Sequence, residues 1–148
     1  MQPNILNRWK VAVLLLCMLV LSACSQQAAA PAKDLPAQIE PIAGTELNRV
    51  TLTEKAAERL ALQTDMVREV AVNGANRKVV PYSSVIYDLK GDTWIYTSSA
   101  PLTFERAPIT IDFIDGDMTV LLEGPEVGVE VASVGVAELY GIDTGVGK

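Results

Sequence analysis

The side chains able to do chemistry in this sequence fall into a few sets. Asp112, Asp115 and Asp117 crowd one short stretch around Gly116. Their spacing, D-x-x-D-G-D, departs from the EF-hand pattern, and one short turn rarely supplies the six or more oxygens that calcium takes. The stretch reads as a solvated hairpin turn. Tyr82, Tyr87, Trp94, Tyr96, Phe104 and Phe113 could stack on a ligand, although aromatics on short strands usually serve core and cross-strand packing. Ser83-Ser84 and Ser98-Ser99 have no visible base, and the sequence has no histidine at all. A His-based triad, a zincin site and a His-rich metal site are therefore excluded. A serine nucleophile would need a lysine or a terminal amine, and Lys78 and Lys90 read as solvated charges. Met66 and Met118 are too far apart to suggest a soft-metal site. Neither G-x-G-x-x-G nor a P-loop occurs. The expectation is a non-enzyme with no metal and no cofactor.

The thiols are more informative. Cys17 lies inside Val11 to Leu21, an unbroken apolar run preceded by Arg8 and Lys10. The run is short of the roughly 20 residues that span a hydrocarbon core, and it suits the h-region of an export signal. It ends in Leu21-Ser22-Ala23-Cys24, which resembles the lipobox of bacterial lipoproteins. The resemblance implies cleavage before Cys24 (signal peptide 1–23), acylation of its sulfur, and a blocked amine. Cys17 leaves with the signal and Cys24 is taken by lipid, so no disulfide remains within the mature chain. By the same resemblance, Ser25 lacks the Asp of inner-membrane retention. The expected location is the outer membrane of a two-membrane cell, or the outer face of the cytoplasmic membrane in a one-membrane cell.

After cleavage, ten Lys and Arg face eighteen Asp and Glu, a net charge of −8. Such a surface repels phosphate backbones and anionic lipid, which disfavours nucleic acid as a partner and leaves membrane attachment to the lipid. Residues 24–44, lipidated Cys24 followed by an Ala/Gln/Pro-rich stretch, read as a flexible tether reaching at most about 70 Å.

The remaining 45–148, about one hundred residues, suffice for one small domain. A short helix is expected over Thr53 to Leu62, with Thr53 as its cap or Thr51 and Glu54 as a capping box. Ala56, Ala57, Leu60 and Ala61 share one face. The rest reads as strands: Gln63–Val72, Lys78–Tyr87, Thr93–Thr97, Leu102–Arg106, Ile109–Ile114, Met118–Leu122 and Val129–Val134. Asn73-Gly74 and Asp115-Gly116 are hairpin turns, with a further turn across Asp88–Asp92. Pro81 marks an edge or bulged strand. The expected class is mainly β: a small antiparallel roll or barrel with one short helix.

Several segments in order resemble the membrane-proximal part of periplasmic adaptor subunits (membrane fusion proteins) of RND-type efflux systems. Val50-Thr51-Leu52-Thr53-Glu54-Lys55-Ala56-Ala57 through Gln63-Thr64 is similar to the segment that begins that part. Val80-Pro81-Tyr82-Ser83-Ser84-Val85-Ile86-Tyr87-Asp88 is similar to the strand that returns to it. Gly91 to Thr97, Phe104 to Ile111, Gly116-Asp117 and Gly124-Pro125 to Val134 continue the likeness, which covers most of Leu47 to Gly147. In full adaptors a lipoyl-like domain, usually a helical hairpin, and a β-barrel domain separate the two halves. Here little more than Asn73-Gly74-Ala75-Asn76 does. The resemblance implies a lipid-anchored docking or accessory component of an efflux transporter, with an RND-type transporter or adaptor as partner. Two alternatives stand beside it: a small-molecule or metal-ion binding module next to a transporter, and an envelope lipoprotein with no transport role.

Overall fold

The computed structural model describes residues 35–145. The signal peptide, Cys24 and the first part of the tether lie outside the described residues. Among the described residues eleven strands, two α-helices and one 3-10 turn (Tyr82–Ser84) follow one another, and all strand pairs are antiparallel. The strands are β1 (Ala37–Pro41), β2 (Asn48–Leu52), β3 (Gln63–Met66), β4 (Arg68–Val72), β5 (Ala75–Pro81), β6 (Ile86–Tyr87), β7 (Thr93–Ala100), β8 (Thr103–Pro108), β9 (Thr110–Asp115), β10 (Met118–Glu123) and β11 (Glu130–Val134). The helices are α1 (Glu54–Arg59) and α2 (Val136–Thr144). The expected mainly-β class is what is found, as two sheets. One has the order β1-β2-β8-β7-β11-β3 with β6 alongside β7, and the other the order β4-β5-β10-β9.

Neighbouring residues on the central strands face opposite cores. Tyr96 and Ala132 join Val50, Leu52, Phe104, Val136 and Leu139 in a cluster between the larger sheet and the helices. Ile95 and Val131, one position earlier on the same strands, join Val80, Ile109 and Leu121 between the two sheets. The period-2 alternation of β-structure thus makes the larger sheet the middle of three layers.

The described chain crosses between the sheets four times, and at the first crossing a single residue does it. Gln63–Val72, expected as a single strand, divides at Val67 into β3 of the larger sheet and β4 of the smaller one. The buried Val67 gives its N–H to Val129 O at 2.9 Å and accepts from Gly128 N at 2.8 Å. No glycine, proline or other turn residue marks Val67 in the sequence, so only these long-range partners decide where the strand splits.

Most turn signals behave as their chemistry dictates. Asn73 and Gly74 both have positive φ, 52° and 82°, and Val72 pairs with Ala75 across a two-residue hairpin. Pro81 is an exception: expected to mark an edge or bulged strand, it ends an interior one, since β5 lies between β4 and β10. It pairs with Met118 but extends beyond the reach of β4, where its missing N–H removes no ladder bond. Thr53 caps α1, its hydroxyl accepting from Ala56 N at 3.2 Å.

The tether boundary needs correction. Residues 37–41, expected within the flexible 24–44 stretch, form β1 and pair with β2 from Ala37↔Leu52 to Pro41↔Asn48. The folded unit begins at Leu35. Proline suggested an extended tether, but β1 is an edge strand, where Pro41 is tolerated, and Ala37 is buried in the core.

Helix α2 had no expectation attached to it. Gly135 and Gly145 flank it in left-handed backbone, and Gly141 lowers helix propensity inside it. Yet Val136, Leu139, Tyr140 and Asp143 recur at helical spacing and pack inward, and this spacing is the signal that would have found it.

Candidate functional site

Cys24 and the residues before it, Leu21, Ser22 and Ala23, lie outside the described residues. No helix among the described residues is long and apolar enough to cross a membrane.

The three aspartates part company. Asp112 forms an ion pair with Arg77, reaching across the smaller sheet. Asp115 and Asp117 are exposed at the β9–β10 turn, where Asp117 O accepts from Tyr82 N at 2.8 Å. Among the described residues no three carboxylate or thiol side chains come together to hold a metal ion. The aromatic set divides as well. Tyr96 and Phe104 are core, Tyr82, Tyr87 and Phe113 are exposed, and Trp94 is half-buried. Ser84 is buried while Ser83 and Ser99 are exposed. Lys78 is not simply solvated, because its ammonium donates to Gly124 O at 3.0 Å. Lys90 is exposed.

The most developed polar cluster involves residues that were not singled out in the sequence: Asn48, Arg106, Tyr140 and Asp143. Asp143 on α2 is buried, with its side chain fully enclosed. Its Oδ2 accepts from the Tyr96 hydroxyl at 2.7 Å and lies 2.7 Å from Arg106 Nε, whose N–H is not aligned for a hydrogen bond. Its Oδ1 accepts from Asn48 Nδ2 at 3.0 Å. The Arg106 guanidinium sits 5.3 Å from the Trp94 ring centre and 5.7 Å from that of Tyr140. Both distances suit cation–π attraction. Trp94 is itself held, since its indole N–H donates to Asp88 Oδ2 at 3.2 Å.

The chemistry of this cluster is cohesive. Burial first, and then the neighbouring Asp143 carboxylate, push the Tyr96 hydroxyl far above its usual 10.0, so it remains a donor at neutral pH. The two Asp143 oxygens are occupied by groups from β2, β7 and β8. The cluster therefore clasps α2 to the centre of the larger sheet. The sequence signal for it is weak, because Asn48, Arg106 and Asp143 are far apart in the chain and each resembles a surface residue.

Two surface grooves lie at opposite ends of the β7–β8 hairpin. One, of about 640 Å³, is walled by Tyr87, Trp94, Pro108, Ile109 and Ile111, with Asp92 at its rim. The other, of about 420 Å³, runs beside α1. Ala57, Ala61, Leu62 and Leu102 form its walls, and Glu54 and Glu58 stand over it.

No protein-family profile matches the chain, and no curated protein or solved structure matches it either.

Proposed function

We propose that the chain is a lipid-anchored extracytoplasmic protein that serves as a non-catalytic docking or accessory component of a transmembrane efflux transporter. The observation that carries this reading is the Asn73-Gly74 hairpin. Val72 and Ala75 pair directly, so the two stretches that resemble the separated halves of such adaptors meet here across one tight turn, which is what the proposal needs. The segments resembling those halves supply α1, β3, β5, β7, β8 and β11, and these pack as neighbours in a single unit. The Arg106–Asp143 clasp stiffens that unit, as suits a surface whose work is contact. Cys24 is the proposed attachment point, with Leu21, Ser22 and Ala23 as the recognition residues before it, and the remaining tether to Leu35 keeps the domain close to its membrane.

The test is co-purification of the detergent-solubilised lipoprotein with native membrane complexes. A transporter or adaptor subunit should be retained reproducibly, and consistent absence of any RND or ABC pump component overturns the proposal. A second reading, capture of a small molecule beside a transporter, is favoured by one feature, the groove walled by Tyr87 and Trp94. Titration calorimetry with apolar small molecules and metal ions separates the two, because docking alone gives no heat.

A further inference from the structure

The tip of the β6–β7 turn is built to enter something. Leu89 has a relative exposure of 103 %, so none of its side chain is covered. Leaving such a residue in water forgoes the burial of its whole apolar surface. Lys90 beside it is exposed, and its ammonium has no ion-pair partner among the described residues. The tip is nonetheless stiff. Asp88 Oδ1 accepts from the Lys90 and Asp92 amides at 2.8 and 3.0 Å, and Gly91 N donates back to Asp88 O at 3.1 Å. A pre-ordered tip loses little conformational freedom on binding.

The groove beside α1 has the complementary character. Its walls are apolar, formed by Ala57, Ala61, Leu62 and Leu102. Glu54 and Glu58 stand one helical turn apart over it, a like-charge pair that is mildly unfavourable in isolation. Neither has an ion-pair partner among the described residues. What the groove lacks is an apolar side chain followed by a cation, which is the pair that Leu89 and Lys90 present.

One molecule cannot satisfy itself. The tip adjoins the start of β7, whereas Leu102 lies beyond its end, and the eight residues of β7 separate them by about 26 Å. We propose that the Leu89-Lys90 tip of one copy docks into the α1 groove of a second copy. Leu89 packs against Ala57, Leu62 and Leu102, and the Lys90 ammonium sits between Glu54 and Glu58. Two different patches meet, so the contact either reciprocates in a two-fold dimer or runs head-to-tail into a ring or an open chain. The patch is small beside a standard interface, so association is weak and concentration-dependent, and confinement to one surface strengthens it. The inference does not rest on the transport reading.

The test uses the full chain purified in detergent, followed by sedimentation velocity over a concentration series. Wild type should associate, while Lys90→Glu and the double variant Glu54→Lys/Glu58→Lys should each raise the dissociation constant at least about tenfold. Mixing the two variants pairs the reversed tip with the reversed groove and should restore association. Leu89→Ala should weaken it without altering any charge. All these positions are exposed, so circular dichroism should be unchanged. A wild type that stays monomeric, association indifferent to the variants, or a mixture that fails to recover overturns the proposal.

Discussion

Arg106 of β8 and Asp143 of α2 approach to 2.7 Å between Nε and Oδ2, with the guanidinium lying between the rings of Trp94 and Tyr140. The pair joins the last helix to the middle layer of the fold, and it is almost wholly removed from water. Breaking one half of such a pair strands the other charge. Asp143→Asn should therefore cost about 3–5 kcal/mol in urea unfolding. The double variant Arg106→Met/Asp143→Leu should cost clearly less than the sum of the single substitutions. Additive losses would show that the two residues act independently.

The clasp also sets an alkaline limit. The Tyr96 hydroxyl is raised above its usual 10.0 by burial and by the Asp143 carboxylate. A raised folded value means that the stabilisation is fully present below pH 10 and declines as pH climbs above it toward the folded value. Wild type should lose stability steeply above pH 10. Tyr96→Phe should start lower, by about 1.5–3 kcal/mol for a lost hydrogen bond to a charged group, and should lack the Tyr96 contribution to that alkaline branch. Denaturation midpoints measured from pH 8 to 11 check this.

Asp88 gives the acid counterpart. Desolvation pushes the carboxyl upward, but hydrogen bonds from the Lys90, Asp92 and Gly91 amides and the Trp94 indole together outweigh it and hold it below 3.8. A depressed folded value means that the contribution is present above pH 3.8 and fades as pH falls through the folded value. Asp88→Asn should therefore lower the melting temperature at pH 6, and the difference from wild type should shrink in acid. A pH-independent difference would assign the effect to packing alone.

What the sequence disclosed follows a physical divide. Signals confined to a few neighbouring residues survive intact: the Asn73-Gly74 turn, the Thr53 cap and the Asp88–Asp92 turn each need only local chemistry. Whatever depends on distant partners is hidden. Val67 sits in a run with no turn residue near it and changes sheets only because Val129 and Gly128 claim its backbone. Residues 37–41 have tether-like composition and become a strand only because β2 offers an edge. Asn48, Arg106 and Asp143 are each unremarkable alone, and their meeting is a product of the fold.

Gly135 is a tight spot where local and distant demands coincide. It caps α2 with φ 76°, and a Cβ placed there would lie 3.0 Å from Leu60 O at the end of α1. Gly135→Ala combines the cost of left-handed backbone, about 1–2 kcal/mol, with a push against backbone that has little room to yield. It should destabilise by more than that range. Gly74→Ala also has positive φ but has open space around its Cβ, so it should cost the backbone component alone. Equal losses at the two sites would remove the Leu60 contact from the account.

The proposed lipid attachment at Cys24 can be tested directly. If its sulfur carries the lipid, Cys24→Ser should abolish incorporation of labelled palmitate and stop cleavage after Ala23. The chain should then run larger on gels by the mass of the retained signal. The folded domain should keep its circular dichroism, because its first described strand begins at Ala37, well after Cys24. Fractionation adds a separate readout, since a variant with an uncleaved signal stays at the cytoplasmic membrane and one processed by another route is released. Either outcome mislocalises the domain, and the efflux proposal then expects loss of its transporter partner in co-purification. A Cys24→Ser chain that still takes up palmitate would overturn the assignment of this thiol.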